Sequence, residues 1–417
     1  MTIKELYNIF LQNPSICTDT RKIEKGSIFF ALKGDNFNGN QFASQAIDKG
    51  CSFAIIDEEK YQFPKAILVN DVLETLQELA TYHRNQLRIP VIGITGTNGK
   101  TTSKELINTV LSSGIKCYST KGNLNNHIGV PLSLLKITNT HDIAIIEMGA
   151  NHKGEINFLC NISKPTHGVI TNIGSAHLEG FKNLQGVIDT KKELYDFLKE
   201  TNGHLFVNND DDLLLSLSEG IERTTYGNNG DYKGVKTKNT PFISLEFNGL
   251  KLSSNLIGDY QFNNIMLAIC IGNYFEITNE HINTAIEDYT PTNNRSEIKE
   301  TKNNTLILDA YNANPSSMSA MLNSFSKQNY DNKLCILGDM LELGEYSNLE
   351  HKSIINLCEK LKLECIYVGE EFNKVRSNAF SSRVKLEEYL QQNSIKNKTI
   401  LLKGSRWIGL EKLEKYL

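Results

Sequence analysis

The sequence predicts an α/β protein of three domains. Its 417 residues exceed what one ordinary core holds, since a domain typically contains roughly 100 to 200 residues. Short apolar runs alternate with amphipathic helical segments along most of the chain, which is the pattern of βαβ units around a parallel sheet. The sequence pattern changes near Arg88, where apolar strand-like runs begin to alternate with helical stretches. A Thr-Pro-Thr-Asn-Asn stretch at 290–294 is typical of a linker. We therefore predict domains at 1–88, 89–290 and 291–417.

The first domain is predicted to be a small α/β unit. It contains the strand-like pieces "GSIFFAL" and "CSFAIID", which Gly and Asn turns separate from helical segments such as "DVLETLQELATYHRNQL". The third domain repeats the strand–helix alternation with "TLILDA", "KLCILGD", "ECIYVGE" and "TILLKGS", so we expect it to be Rossmann-like.

The middle domain carries four apolar strands, each followed by polar or Gly-rich sequence. In an open parallel sheet, ligands bind at the carboxyl ends of the strands, so these ends are the expected location of a site. The predicted strands are "VIGIT" at 91–95, "IAIIE" at 143–147, "GVIT" at 168–171 and "HLFVN" at 204–208.

Composition excludes several classes of protein. The formal net charge of −4 provides no basic surface for a nucleic-acid backbone. No run reaches the roughly 18 apolar residues that a membrane helix needs, and the N-terminus lacks the apolar core of a signal peptide. The eight cysteines form no CxxC pair, which disfavours zinc ribbons and disulfide frameworks. We expect a cytoplasmic protein with no nucleic-acid partner and no membrane insertion.

The stretch "GITGTNGKTT" predicts a phosphate-binding loop. A Gly-rich turn between a strand and a helix lets backbone N–H groups approach phosphate oxygens, and Gly96 and Gly99 supply such a turn. Lys100 would reach the β and γ phosphates, and the Thr101 hydroxyl would ligate Mg²⁺. Ile94 occupies the place of the pattern's first glycine, so this is a shortened variant. The loop predicts a nucleoside triphosphate but no particular reaction.

The other strand ends leave alternatives open. Glu147 closes an apolar strand, where it could ligate Mg²⁺ or cap a helix. His177 follows a strand by several residues and could be a ligand, a packed residue or a solvent-facing one. Lys191 and Lys192 fall on a predicted helix, and the residues alone assign a role to neither of them.

An ordered set of motifs resembles the Mur ligase family, the bacterial ATP-dependent enzymes that build the stem peptide of peptidoglycan. The motifs run in family order over nearly the whole chain. They are "GTNGKTT", "NLNNHIGVP", "EMGANHKGEI", "TNIGSAHLEGF", the lysine before "ELYDFL", "GDYQFNN", "NNRSE", "LDAYNANPSSM", "LGDMLELGEYS" and "KGSR".

Within the family, the chain is most similar to members that add D-alanyl-D-alanine to a UDP-N-acetylmuramoyl tripeptide. Members that add the third residue typically carry Asp-Asn-Pro-Arg where this sequence reads "NANPSS". A third-residue-adding ligase and a folylpolyglutamate synthetase-like ligase are the alternatives among enzymes. A phosphate-loop module that uses ATP as a conformational switch is the alternative outside them.

The resemblance implies that ATP phosphorylates a carboxylate of the tripeptide and that the dipeptide amine displaces the phosphate from the acyl phosphate. The three domains would bind the UDP-sugar, ATP and the acceptor in chain order, in a monomer. Thr101 and Glu147 would hold one Mg²⁺, and His177 would contribute to a second. A lysine carbamylated by CO₂ would supply a bridging anion. Aligning "TKKELY" with the family pattern places that lysine at Lys191 and a usual glycine at Lys192.

The resemblance also implies the remaining site residues. Lys100, Glu147, His177 and Lys191 form the catalytic set. The alternative, purely structural roles of the other positions are helix caps, turns and a surface ion pair. Tyr260 stands where many relatives have a histidine. The ATP-binding set is Gly96, Thr97, Asn98, Gly99, Lys100, Thr101, Thr102, Asn264, Arg295 and Asp309, and the substrate-binding set is Thr20, Arg21, Asn125, Asn126, Asn312 and Asn314.

Overall fold

The computed structural model describes residues 1–176, 178–239, 241–292 and 294–417. It confirms the predicted α/β class, with three main sheets that follow one another along the chain. Within the part of the chain that the structure describes, no helix is both long and apolar enough to span a membrane. All eight cysteines are free thiols, and six of them are buried.

The first sheet is parallel and has the strand order β1-β2-β5-β6. A short antiparallel hairpin, β3–β4, lies beside it. Side-chain caps start two of its helices: Thr2 forms a capping box on the first helix and Asp71 caps the third. The elements are α1 (Ile3–Gln12), β1 (Ile16–Cys17), β2 (Ile28–Phe30), β3 (Lys33–Gly34), β4 (Phe37–Asn38), a 3₁₀ turn (Gly39–Phe42), α2 (Ala43–Asp48), β5 (Phe53–Ile56), a 3₁₀ turn (Glu59–Tyr61), β6 (Ala66–Leu68) and α3 (Val72–Gln86).

The central sheet has nine strands in the order β15-β14-β13-β12-β11-β10-β7-β9-β8. The strands from β8 to β13 in this order are parallel, and β13, β14 and β15 form an antiparallel edge. The elements are β7 (Val91–Thr95), α4 (Lys100–Ser112), β8 (Cys117–Ser119), α5 (Gly129–Leu134), β9 (Ile143–Glu147), α6 (Glu155–Ser163), β10 (His167–Ile170), α7 (Leu178–Phe181), α8 (Leu184–Glu200), β11 (His204–Asn208), α9 (Asp212–Leu217), β12 (Arg223–Gly227), β13 (Tyr232–Asn239), β14 (Phe242–Phe247), β15 (Leu250–Ile257), α10 (Gln261–Tyr274) and α11 (Asn279–Asp288).

The third sheet has the order β16-β17-β20-β18-β19, with β16 antiparallel and the others parallel. The predicted linker at 290–294 falls between α11 and this sheet, and its residue Asn293 lies outside the described residues. The elements are β16 (Glu297–Glu300), β17 (Thr305–Leu308), α12 (Pro315–Lys327), β18 (Lys333–Gly338), a 3₁₀ turn (Gly344–Tyr346), α13 (Ser347–Lys360), β19 (Cys365–Val368), α14 (Glu370–Val375), α15 (Arg383–Gln392), β20 (Thr399–Lys403) and a 3₁₀ turn (Leu410–Tyr416).

The first and middle parts of the chain share one apolar core. A single buried cluster contains residues of α1, β2 and α3 together with residues of α5, α6 and α8. Polar contacts reinforce the junction: the buried Arg84 donates from Nε to Ser163 O (3.0 Å) and from a terminal nitrogen to Lys164 O (3.0 Å). The third sheet has its own clusters on its two faces, one of which reaches the middle part through Leu178 and Ile257.

Candidate functional site

The turn between β7 and α4 has the backbone of a phosphate-binding loop. Gly96 and Gly99 have positive φ angles, +142° and +78°, which L side chains rarely adopt. A Cβ atom on Gly96 would collide with the Thr171 hydroxyl, and one on Gly99 would lie 2.9 Å from Oδ1 of Asn264. Both glycines are therefore required by conformation and by space.

Lys100, the first residue of α4, folds back over this loop. Its Nζ donates hydrogen bonds to Gly96 O (2.6 Å) and Thr97 O (3.1 Å). Burial lowers the pKa of Lys100, while the carboxylate of Glu147 opposes the shift and Arg295 adds to it. The ammonium group thus lies at the loop that would receive the phosphates of a nucleotide.

Glu147, at the end of β9, lies against the phosphate loop with its side chain buried. The Thr101 hydroxyl donates to its two oxygens at 3.0 and 3.2 Å, and Asn125 Nδ2 donates to Oε1 at 2.8 Å. Asn125 was predicted on the substrate side, and the structure places its amide on the predicted metal ligand. A hydroxyl and a carboxylate are the hard oxygen ligands that Mg²⁺ prefers.

The protein ligands available for a metal here are few. Among the described residues, no group of three or more His, Cys, Asp and Glu side chains could hold a metal ion. The donor pair of Thr101 and Glu147 therefore fits Mg²⁺ as an ion that takes its remaining ligands from phosphate oxygens and water. His177, which was predicted to contribute to a second Mg²⁺, lies outside the described residues.

The two neighbouring lysines on α8 point in different directions. Lys191 is 2% exposed, and its Nζ lies 5.5 Å from the centroid of the Phe181 ring. Burial lowers the pKa of Lys191 to about 7; Lys100 adds to the shift, and Glu155 and Glu193 oppose it. Lys192 forms an exposed ion pair with Asp196 one helical turn away.

A cavity of about 800 Å³ extends from the phosphate loop to the third sheet. Gly96 and Lys191 are not on its wall, and Thr20 and Arg21 lie apart from it in the first domain. Fourteen of the predicted site residues line it: Thr97, Asn98, Gly99, Lys100, Thr101, Thr102, Asn125, Asn126, Glu147, Asn264, Arg295, Asp309, Asn312 and Asn314.

The two predicted sugar-nucleotide residues are at the surface of the first domain. The Arg21 side chain is 85% exposed and pairs through Nε and a terminal nitrogen with the Asp19 carboxylate, at 2.9 Å each. These hydrogen bonds lower the pKa of Asp19 to about 2. The backbone oxygen of Thr20 accepts a hydrogen bond from Lys49 Nζ at 3.0 Å. Neither Thr20 nor Arg21 is brought to the cavity.

The far wall of the cavity is cationic and comes from the third sheet and its linker. The guanidinium carbon of Arg295 lies 3.6 Å from the centroid of the Tyr311 ring, and that of Arg406 lies 5.5 Å from the same centroid. Asp309 accepts from Lys403 Nζ at 2.6 Å and from the Ser296 N–H at 3.2 Å. Tyr311 and Lys403 line the cavity, and Arg406 lies beside the Tyr311 ring but not on the wall. None of the three was predicted as a site residue, although their motifs "YNANP" and "KGSR" were recognised.

Hydrogen bonds join the phosphate loop to the start of α12. Asn314 Nδ2 donates to Asn98 Oδ1 at 2.8 Å, and Asn98 Nδ2 donates to Ser316 Oγ at 2.8 Å. Asn314 also caps α12 by accepting from the Ser317 N–H. In the same region Asn264 accepts from the Ser103 hydroxyl at 3.0 Å, directly behind Gly99. Asn314 was predicted near the acceptor amine, and its side chain contacts the nucleotide loop.

Lys104 is a buried site residue that the sequence reasoning missed. It lies on α4 one turn after Lys100, and its Nζ is 3.8 Å from Oε2 of Glu147. Burial lowers the pKa of Lys104, and the Glu147 carboxylate opposes this shift. The four-residue spacing from Lys100 is the signal that could have identified it, because residues i and i+4 share one face of a helix.

Comparisons with known proteins agree with this geometry. Family models match at residues 15–94 ("Mur ligase family, catalytic domain"), 94–272 ("Mur ligase middle domain") and 294–406 ("Mur ligase, glutamate ligase domain"). The UDP-N-acetylmuramoyl-tripeptide--D-alanyl-D-alanine ligase of Bacillus subtilis is 33% identical over 96% of this chain and 92% of its own.

Two solved structures have the same architecture. A crystal structure of MurF from Acinetobacter baumannii superposes with a TM-score of 0.87 at 28% identity, over 99% of this chain and 98% of that one. MurF ligase from Thermotoga maritima in complex with ADP gives a TM-score of 0.85 at 25% identity, over 97% of both chains. The sheets, the phosphate loop and these full-length similarities lead to one conclusion: the chain belongs to the Mur ligase family.

Proposed function

We propose that this protein is an ATP-dependent ligase that joins D-alanyl-D-alanine to a UDP-N-acetylmuramoyl tripeptide in the synthesis of peptidoglycan precursors, with release of ADP and phosphate. The observation that carries the proposal is the meeting of the phosphate loop and the "YNANPSS" segment across one cavity. The names of the full-length relatives indicate the particular donor and acceptor.

The reaction needs activation because a carboxylate is a poor acyl donor. An oxygen of the tripeptide carboxylate attacks the γ-phosphorus of ATP, the bond to the β-phosphate oxygen breaks, and ADP leaves. The dipeptide amine then attacks the acyl carbon, loses a proton and expels phosphate. Phosphoryl transfer depends mainly on position and charge. We therefore propose that Lys100 at the loop and Arg295 on the opposite wall bind the phosphates, and their place on the cavity wall supports this.

We propose that Thr101 and Glu147 hold Mg²⁺ in the working enzyme. Their hydroxyl and carboxylate oxygens lie together beside the phosphate loop, which supports the assignment. When bound, the ion would neutralise negative charge on the phosphate oxygens. His177 remains a predicted contributor to a second Mg²⁺.

We also propose that Lys191 reacts with CO₂, so that its amine nitrogen bonds to the carbon, a proton leaves and an anionic carbamate forms. An anion suits a site beside Mg²⁺, whereas a lysine ammonium has the wrong charge. A neutral amine is the reactive form, and a pKa near 7 makes it abundant at neutral pH. The buried position of Lys191, compared with the surface ion pair of Lys192, supports Lys191 over its neighbour.

The remaining substrate assignments are proposals of the same kind. Residues 1–88 would bind the UDP-sugar, with Thr20 and Arg21 at its surface. The middle domain to residue 290 would bind ATP, and residues 291–417 would bind the dipeptide near Asn312. We expect a cytoplasmic monomer.

The test is release of orthophosphate from ATP in the presence of the UDP-muramoyl tripeptide, comparing D-alanyl-D-alanine with L-amino acids. The proposal predicts release that requires both the tripeptide and the dipeptide. Consumption of lysine or diaminopimelate in place of the dipeptide would identify a third-residue ligase. Consumption of glutamate with a folate would identify the folylpolyglutamate synthetase-like alternative, and nucleotide binding without any acceptor dependence would identify a switch.

A further inference from the structure

We propose that Lys104 is a positioning residue for Glu147: it holds the carboxylate in the orientation that receives a nucleotide-bound divalent cation. This inference rests on the proposed function, because it concerns the same ATP site. Lys104 itself does not line the cavity, so it acts through Glu147.

The first support is the geometry of the Lys104 side chain. The residue is 2% exposed, and its Nζ donates a hydrogen bond to Thr120 O at 2.7 Å while lying 3.8 Å from Oε2 of Glu147. A lysine is almost never fully buried unless it is paired. Its amine is therefore fixed between the end of β8 and the end of β9.

The second support is that Thr120 also holds Glu147. The Glu147 N–H donates to the Thr120 hydroxyl at 3.1 Å, and the Thr120 N–H donates to Ile145 O at 3.0 Å. Lys104 therefore bonds directly to the residue that anchors the Glu147 backbone and also faces the Glu147 carboxylate. Without the Lys104 amine, the Glu147 carboxylate would lose its charged neighbour on the side that faces the protein interior.

The third support is the division of the carboxylate into two sides. Thr101 and Asn125 donate to it from the cavity side, where both residues line the wall, whereas Lys104 approaches from the protein interior. A buried carboxylate without a compensating charge is costly, so the interior cation keeps Glu147 ordered at the wall. The cavity side is then free to exchange the Thr101 and Asn125 contacts for a metal.

The experiment is a double-mutant cycle on nucleotide binding. Affinity for a nonhydrolysable ATP analogue is measured by calorimetry with saturating Mg²⁺ and with a chelator, for the wild type, Lys104→Met, Glu147→Gln and the double variant. We expect Lys104→Met to weaken binding about tenfold with Mg²⁺ and by less than about twofold with the chelator. In the Glu147→Gln background, Lys104→Met should cause no further decrease in the affinity that Mg²⁺ adds over the chelator.

Controls separate positioning from folding. Lys136→Met removes an exposed lysine from the same domain and should leave both affinities unchanged. Should Lys104→Met fail to fold, Lys104→Gln keeps a hydrogen-bond donor without the charge, and the same Mg²⁺-dependent loss is expected. Equal losses with and without Mg²⁺, or losses that add in the double variant, would overturn the proposal.

Failure of this inference can be distinguished from failure of the proposed function. The binding measurement needs no acceptor, so it reports on Lys104 whatever amine the enzyme uses. If the wild type ligates the dipeptide but Lys104→Met binds the analogue normally, only the inference about Lys104 is wrong. If the wild type shows no ligation but the affinities of the four proteins for the analogue still agree with the predicted double-mutant cycle, only the proposed function is wrong.

Discussion

Lys191 and Lys192 are adjacent in the chain but lie in opposite environments, one buried against Phe181 and one paired at the surface. We predict that Lys191→Ala lowers the ligation rate by about 100-fold, because it removes the proposed carbamate anion. Affinity for nucleotide without acceptor should change by less than about twofold. Initial rates of phosphate release and calorimetric titration with ADP measure the two quantities.

Small anions provide a second measurement on the same variant. Chloride or acetate should restore part of the activity of Lys191→Ala, because either could occupy the place of the carbamate. Lys192→Ala is the matched control and should retain wild-type activity. Undiminished activity in Lys191→Ala would remove this residue from the mechanism.

Individual site residues were predictable where the chemistry is local in sequence. Gly96, Gly99 and Lys100 fall within five consecutive positions, and the loop conformation follows from their order. Lys104 and Asn125 were missed or misplaced because each meets Glu147 only in the folded chain, Lys104 from α4 and Asn125 from the segment between β8 and α5. The four-residue spacing from Lys100 places Lys104 on the same helix face, but it does not reveal that the amine is buried or which carboxylate it meets.

At the scale of elements, β10 begins with a histidine inside an aromatic cluster. The His167 ring stacks near Phe206 and lies 5.2 Å from the Phe275 ring, centroid to centroid. Burial lowers the pKa of His167 to about 4, and His204 adds to the shift. An unfolded chain would bind a proton here near pH 6.5, whereas the folded chain would not until about pH 4.

The free energy of unfolding should therefore fall as the pH drops from about 6.5 to 4, by at most roughly 3 kcal/mol from this residue. We predict that His167→Phe, which keeps an aromatic ring in the cluster, flattens the pH dependence in this window relative to wild type. Urea unfolding at a series of pH values measures the effect. His281→Gln, at an exposed position on α11, is the control, and an equal flattening there would contradict the assignment.

The apolar strands were the most predictable elements. β7, β9 and β11 have the predicted bounds because continuous apolar runs can be buried on both faces of a parallel sheet. β10 begins and ends one residue earlier than predicted, and the hydroxyl of Thr171, the next residue, donates to Asn98 O in the phosphate loop. The short strand β8 and the antiparallel edge β13–β15 depend on tertiary pairing, and their sequences carry weaker patterns.

At the scale of the whole molecule, the third domain meets the phosphate loop through the side chain of Asn98. Two cross-domain hydrogen bonds, to Asn314 and Ser316, depend on this amide. Each contributes about 1 kcal/mol, so Asn98→Ala should disfavour the arrangement in which the third domain contacts the phosphate loop by roughly 30-fold. We predict a corresponding fall in kcat/KM and a larger radius of gyration for the nucleotide-bound variant in small-angle X-ray scattering.

Ser319→Ala is the matched control for Asn98→Ala, because Ser319 lies on the same helix, α12, beyond the contact. It should leave the kinetics and the radius of gyration unchanged. A variant at Asn98 with wild-type kcat/KM would show that these two hydrogen bonds do not control the contact between the third domain and the phosphate loop.

The number of domains was predictable, but the way they join was not. Sequence assigns α3 to the first domain, yet its residues His83 and Arg84 bond to backbone oxygens of the middle one at Ile137 and Ser163. Such contacts link positions more than 50 residues apart, and no local pattern encodes them.

The joint core of α1, α3, α5, α6 and α8 has a consequence for how this enzyme can be taken apart. Cleavage of the chain between α3 and β7 would expose apolar surface on both fragments. We therefore expect each fragment to aggregate when it is expressed alone. Cleavage in the linker before β16 would leave that core intact. We therefore expect the N-terminal fragment to unfold in one transition, with a single calorimetric peak.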